Sequence, residues 1–170
     1  MNRKIKLFCI PYAGGSAVLY SKWKNHLPES IELRPIELAG RGSRIQEPFY
    51  LNVREAVDDI YSMIYEEIQS SQYILFGHSM GAMLSYELAQ KIKNEGANQP
   101  LHLFFSGKTV PHLPVSEEKK YHLLSEEDFK DKIINLGGTP PDFFDHPELW
   151  NFSYHCSVTI LDWHQPTFSE

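Results

Sequence analysis

Tyr73-Ile74-Leu75-Phe76-Gly77-His78-Ser79-Met80-Gly81-Ala82 is the stretch on which the reading of this 170-residue chain turns. Four consecutive apolar residues, Tyr73 to Phe76, suit a central parallel strand covered on both sides. A Gly-x-Ser-x-Gly pentapeptide follows at once, and a helical period runs from Ser79 through Leu84 and Leu88 to about Asn94, with Gly96 as a C-terminal signal. A serine raised on a strand-to-helix turn needs such glycines, because the turn is too sharp for neighbouring side chains. The turn lifts Ser79 Oγ above the carboxyl edge of the sheet, and the helix N-terminus behind it favours developing negative charge. The plainer alternative is a tight turn with an N-capping serine. The strand before and the long helix after favour the nucleophile.

Outward from this segment, short β-type runs alternate with helical periods. Ile5 to Ile10 reads as a strand closed by Pro11 and Gly14-Gly15, and Ser16 can cap a helix to about Leu27, ended by Pro28. Ile31 to Leu38 is a second strand, which Pro35 assigns toward an edge. Asn52 caps the clearest helix, with Val53, Ala56, Val57, Ile60, Ile64 and Ile68 on one face. Leu101 to Phe105 is a fourth strand. This order implies an α/β fold, a parallel sheet with right-handed crossovers and flanking helices. Beyond Gly107 the pattern breaks into Pro-interrupted helical pieces, one of them opened by Ser125 with Glu126, Glu127 and Asp128 in its first turn. The stretch from Asn151 to Glu170 has no clean period, and Val158 to Leu161 could be a strand or a helix end.

Composition narrows the function classes. With 42% hydrophobic and 13% aromatic residues the chain can bury a core, and its length fits one domain, 1–170. A net charge of -6 and a pI near 5.7 argue against non-specific binding to nucleic acid or to an anionic membrane. No stretch is long enough to span a bilayer, and the first residues make a poor signal peptide, so a cytoplasmic location is expected. Cys9 and Cys156 are too few for a disulfide scaffold, and no His/Cys spacing suggests a metal.

A second loop supports acyl chemistry. Pro11-Tyr12-Ala13-Gly14-Gly15 follows the first strand on the same rim as Ser79. An oxyanion hole takes one N–H from the residue after the nucleophile, here Met80, and another from the loop after the neighbouring strand, where Ala13 is the candidate. Taken alone the loop would pass for an ordinary Gly-rich turn. It contains neither a GxGxxG nor a Walker lysine for phosphate.

Together these blocks resemble the signatures of external (type II) thioesterases of nonribosomal peptide and polyketide synthesis, members of the α/β-hydrolase superfamily. The resemblance is carried by Pro11 to Ser16, by Pro35-Ile36-Glu37-Leu38-Ala39-Gly40-Arg41-Gly42, and by Phe76 to Ala82. Phe105-Ser106-Gly107 with Pro111 to Pro114, and Leu136 to Pro141, continue it to about Leu149. It implies hydrolysis of stalled or wrong acyl groups from the phosphopantetheine arm of acyl or peptidyl carrier domains, with no cofactor of the enzyme's own. It also implies that residues 108–150 form a helical lid over the acyl channel. In that family the catalytic acid and then the histidine follow later strands, so the resemblance makes this an incomplete domain whose last strands are missing, as a frameshift or early stop would produce. It would also leave the Leu101 to Phe105 strand, beside Tyr73 to Phe76, as an apolar edge. No catalytic acid or base is identifiable. Asp162 and His164 come in the right order but lie only two apart. His78 belongs to the turn, His102 to a strand, and His112, His122 and His146 to the lid region. His155 beside Cys156 shows no pairing that sequence can establish.

Two other readings compete: another serine carboxylesterase, which the Pro35 to Gly42 and Leu136 to Pro141 blocks oppose, and a non-catalytic module docking on acidic carrier domains through Lys91, Lys93, Lys119 and Lys120. Solvated lysines are the simpler account of that group. Loss of a triad member costs on the order of 10⁴ to 10⁶ in rate, so the 170-residue chain is expected to be nearly inert. Ser79 should therefore label weakly or not at all with a fluorophosphonate probe. Stoichiometric labelling that Ser79→Ala abolishes would reveal a substitute base, with His155 and His164 the first suspects.

Overall fold

The computed structural model describes residues 4–107 and 125–136. The chain divides into two compact units, 1–113 and 114–170. In the first unit four strands, β1 (Ile5–Ile10), β2 (Ile31–Pro35), β3 (Tyr73–His78) and β4 (His102–Ser106), form an all-parallel sheet in the order β2-β1-β3-β4. Helix α1 (Val53–Ser70) precedes β3, and α2 (Met80–Asn94) follows it. The order of elements is the one the sequence predicts, and among the described strands β2 stands at an edge as expected.

Register explains where β2 stops. Ile5 faces Ile31 and Cys9 faces Pro35, and Ile36 N–H adds a last bond to Cys9 C=O at 2.9 Å. β1 ends one residue later, so the expected continuation of β2 to Leu38 has no partner. Pro35 brings no N–H to the ladder, which is tolerable only at such a margin.

The sheet's two faces are filled differently. On one, Phe8, Tyr73 and Leu75 are buried together with Ala56, Ile60, Ile64 and Ile68 of α1 and Leu84, Leu88 and Ile92 of α2. Phe8 meets the Tyr73 ring edge-on, with centroids 5.9 Å apart. On the other face Leu7, Cys9 and Tyr20 form a smaller core that Trp23, Leu33, Ile74 and Phe76 complete. Burial in that core pushes the Cys9 thiol up to about 12, so it is an apolar filler rather than a nucleophile.

The helix expected after Ser16 is a 3-10 helix, Ala17–Asn25. Its inward residues Ala17, Tyr20 and Trp23 recur every three positions, the period of a 3-10 rather than an α-helix. Tyr20 and Trp23 both set their rings against Phe76, at 5.9 and 4.9 Å. Asn52 caps α1 as anticipated, its side chain accepting from Glu55 N–H at 2.9 Å.

β4 pairs with β3 from Ile74–His102 to His78–Ser106 and is the outermost described strand on that side. Leu103, Phe104 and Phe105 are exposed, Phe104 by 52%. His102, which the sequence assigns to this strand, is exposed as well. In the second unit the described element is α3 (Glu126–Leu136), whose capping Ser125 Oγ accepts from Asp128 N–H at 3.2 Å. The expected lid over 108–150, the tail from Asn151 and the late Asp162, His155 and His164 otherwise lie outside the described residues. So do the Lys119 and Lys120 candidates.

The packing predicts a graded response in α1. Ile60→Ala should destabilise the protein by about 2–5 kcal/mol, because Ile60 is fully buried and its removal leaves a cavity. Asn52→Ala should cost about 1 kcal/mol through the lost cap. Urea unfolding of both variants, followed by circular dichroism, measures the ratio.

Candidate active site

Ser79 joins β3 to α2 with φ 53° and ψ -112°, and it is the sole non-glycine at positive φ among the described residues. Such a conformation costs on the order of 1–3 kcal/mol and persists only where the surroundings impose it. Here Ser79 N–H bonds Ser106 C=O at 2.8 Å, while Ser79 C=O accepts from Ala82 N–H at 3.0 Å. The strain is thus held between β4 and the first turn of α2. Its hydroxyl makes no cap hydrogen bond, so Oγ is not consumed in capping the helix.

Both glycines of the pentapeptide are explained by backbone crowding. A Cβ on Gly77 would overlap the carbonyl of Gly81 and come within 2.5 Å of Ala82 N. A Cβ on Gly81 would overlap the carbonyl of Ile10 and lie 2.8 Å from Pro11 O. The second contact places the turn after β3 directly against the end of β1. Ser85 Oγ, fully buried, closes the elbow by donating to Gly81 C=O at 2.8 Å.

The loop after β1 is itself a tight turn. Gly15 N–H bonds Tyr12 C=O at 2.9 Å, and Gly14 at φ 76° occupies the third position, as a type II turn requires. Ala13 is the second residue, so its N–H stands outside the turn's own hydrogen bond. Met80 is the first residue of α2, whose N–H has no acceptor within the helix. Ser79, Ala13 and Met80, the three site residues expected from sequence, therefore lie on elements in direct backbone contact. Among the described residues Ser79 Oγ has no hydrogen-bond partner and no group of His, Cys, Asp or Glu could hold a metal.

The sequence did not reveal how the site is buttressed. His78 Nδ1 lies 3.0 Å from Ser106 Oγ, and its ring meets Tyr12 edge-on at 5.7 Å. The turn histidine thus connects β4 to the loop after β1. On the far side of that loop Tyr20 OH donates to Ile10 C=O at 2.9 Å, and Glu37 receives both Ser16 Oγ–H and Ala17 N–H. Behind Glu37, Arg44 binds its main-chain carbonyl at 3.1 Å and Asp59 at 2.7 Å, and Tyr50 OH donates to Asp59 at 2.5 Å. Burial acts to raise the Asp59 carboxyl, but the bonds from Arg44 and Tyr50 outweigh it and hold the group below the ordinary carboxylate range. The paired signals Glu37 and Arg44 sit in the Pro35 to Gly42 block and just after it, and only the fold shows what they grip.

A parallel sheet of order β2-β1-β3-β4, with a strained serine between its third strand and a long helix, is the core of an α/β-hydrolase fold. The chain belongs to the thioesterase family: residues 5–158 match the Thioesterase domain, a little past Leu149, where the resemblance was expected to stop. It is 40% identical over 140 residues to the gramicidin S biosynthesis protein GrsT of Aneurinibacillus migulanus, covering 81% of this chain and 53% of that protein. It is 32% identical over 161 residues to the medium-chain S-acyl fatty acid synthase thioesterase of Homo sapiens, covering 91% and 58%. Among solved structures it superposes on ClbQ from the colibactin NRPS/PKS pathway with a TM-score of 0.85 at 39% identity, covering 98% of this chain and 70% of that one. RedJ, a thioesterase from the prodiginine pathway of Streptomyces coelicolor, gives 0.86 at 30% identity, covering 99% and 65%. The chain spans somewhat over half the length of the curated relatives it matches.

Crowding at the elbow gives a directional prediction. Gly81→Ala must separate the elbow from the end of β1 and should cost about 1–3 kcal/mol or more, as overpacking does. Gly14→Ala meets no atom within 4 Å and should cost about 1–2 kcal/mol, the penalty of the left-handed region alone. Thermal unfolding compares the two, and the Gly81 variant alone should shift the Ile10 and Pro11 backbone resonances.

Proposed function

We propose that the protein is an external thioesterase, built to hydrolyse acyl groups from the phosphopantetheine arm of acyl or peptidyl carrier domains with Ser79 as nucleophile; the 170-residue chain by itself is expected to be nearly inert, since no catalytic acid or base is identifiable in it. The observation that carries this reading is the strained Ser79, its Oγ uncommitted to the helix, packed through Gly81 against the turn that bears Ala13. In the first step Ser79 Oγ gives its proton to a general base, a role no described residue fills, and bonds to the thioester carbonyl carbon, while the carbonyl electrons move onto oxygen. Ala13 and Met80 N–H groups donate to that oxyanion, assisted by the N-terminal dipole of α2. Collapse breaks the C–S bond, and the phosphopantetheine thiol leaves with a proton. Water then cleaves the Ser79 ester, releasing the acid and restoring the hydroxyl.

The carrier-bound substrate is supported by the relatives' settings, gramicidin S biosynthesis and the colibactin NRPS/PKS pathway. The chemistry calls for no metal or cofactor, and the substrate's phosphopantetheine comes with the partner. A cytoplasmic location fits, since among the described residues no helix is long and apolar enough to cross a membrane. Residues 108–150 are proposed as the lid of the same domain. A purely docking role is weaker for Lys91, which already pairs with Asp58 at 3.0 Å and Glu95 at 3.4 Å.

The test offers matched acyl-pantetheine thioesters and oxoesters to the chain joined after Leu149 to the C-terminal part of a relative. Hydrolysis should favour the thioester, and Ser79→Ala should lower it by on the order of 10⁴ or more. A preference for oxoesters would make the protein a carboxylesterase. A folded but inactive protein that captures a phosphopantetheinylated carrier domain would make it a docking module.

A further inference from the structure

Glu37 is remote in sequence from the turn that carries Ala13, yet its carboxylate grips Ala17, 20 residues away, in the chain immediately after that turn. Oε1 accepts Ala17 N–H at 3.0 Å, and Oε2 accepts Ser16 Oγ–H at 3.1 Å. Ser16 follows Gly15, whose N–H closes the turn around Ala13. The carboxylate thus fixes the exit of the turn, while Tyr20 OH on Ile10 C=O and the Gly81 contact fix its entrance.

Glu37 is itself held against movement. Its main-chain carbonyl accepts from Arg44, which is anchored to Asp59 of α1 and to Glu47. Its carboxylate occupies the space beside Gly42: a Cβ there would overlap Oε2, lie 2.6 Å from Cδ and 2.9 Å from Ser16 Oγ. The glycine at 42 therefore makes room for this carboxylate against Ser16. The Pro11 to Ser16 and Pro35 to Gly42 segments, separate in sequence, form one hydrogen-bonded unit.

We infer that Glu37 is a positioning residue, which holds the loop after β1 so that Ala13 N–H faces the acyl oxygen above Ser79. This rests on the proposed role of Ala13 in the oxyanion hole. Glu37 touches no reacting atom; its effect passes through Ser16, Ala17 and the turn. An amide in its place keeps both bonds, since Gln Oε1 accepts Ala17 N–H and its NH₂ donates to Ser16 Oγ. Loss of the side chain leaves Ala17 N–H without its acceptor and frees the turn's exit.

Amide hydrogen exchange on the 170-residue chain reads the hold without any turnover. In Glu37→Ala the Gly15 and Ala17 amides should exchange about tenfold faster or more, the loss of one or two hydrogen bonds to a charged group, while the α2 amides stay as they are. Glu37→Gln should restore slow exchange. Gly42→Ala crowds the carboxylate from the other side and also strains a φ of 47°, and it should speed the same two amides. Should Glu37→Ala fail to fold, Ser16→Ala removes one of the two bonds and should still speed exchange at Gly15. In the thioester assay Glu37→Ala should lower kcat by on the order of tenfold to a hundredfold with KM little changed, because oxyanion donation acts in the transition state. Unchanged exchange at Gly15 in Glu37→Ala, or in Ser16→Ala if only that folds, overturns the inference whatever the kinetics show. Equal loss of kcat in the Gln and Ala variants overturns it too. Hydrolysis that survives Ser79→Ala would instead sink the proposed function, and the exchange result would stand apart from it.

Discussion

Gly81 and the carbonyls of Ile10 and Pro11 touch backbone to backbone, with no room for a side chain between them. The rest of the candidate site depends on that contact, because it seats the turn after β3 directly against the end of β1. The pairing of β1 with β3 brings the two strand ends level, Ile10 opposite Gly77. What remains is to bring two loops within reach of one small atom group, and a bare backbone does so more closely than any packed side chains could. The same closeness explains why Gly81 must be glycine although it sits inside α2, where glycine is otherwise unfavourable.

The strain at Ser79 and the position of the Ala13 turn are secured by different forces. Ser79 is itself half-buried, but the elements on either side of it are anchored in the core: α2 places Leu84, Leu88 and Ile92 wholly there, and β3 contributes Leu75. A helix so anchored can impose an unfavourable φ on the residue before it. The loop after β1 has less apolar support, with Tyr12 and Leu19 exposed. It is held by directed polar bonds from Tyr20, Glu37 and Ser16, backed by Arg44 and Asp59. Polar restraints of this kind fix direction as well as distance, which is what an N–H aimed at an oxyanion needs.

Much of this was legible in the sequence, for reasons that differ by element. α1 could be read because its apolar face repeats over 18 residues behind an Asn cap, and β3 because its apolar run ends in a motif with strict backbone demands. The 3-10 helix could not be told from an α-helix, since over nine residues a period of three and one of 3.6 diverge by little more than one position. β2 was read too long because nothing local announces that its partner strand has ended. Ser79, Ala13 and Met80 could be proposed from their places on one rim. The Glu37 grip on Ser16 and Ala17 joins residues 21 and 20 positions apart, and the His78 bond to Ser106 spans 28. Such bonds follow from topology and register, which no single segment encodes.

The two glycine-bearing loops also differ in what their glycines do, and the difference separates chemistry from support. Gly14 sits at φ 76° with open space beside it, so it is there for conformation alone. Gly77 and Gly81 are there for space, and Gly42 for both space and its positive φ of 47°; each makes room for a different neighbour: a helix carbonyl, a strand end and a carboxylate. Two of those neighbours are backbone, fixed wherever the fold forms. The third, the Glu37 carboxylate, is supplied by a side chain. It is therefore a point at which a single substitution could displace the oxyanion loop while leaving sheet, helices and nucleophile in place.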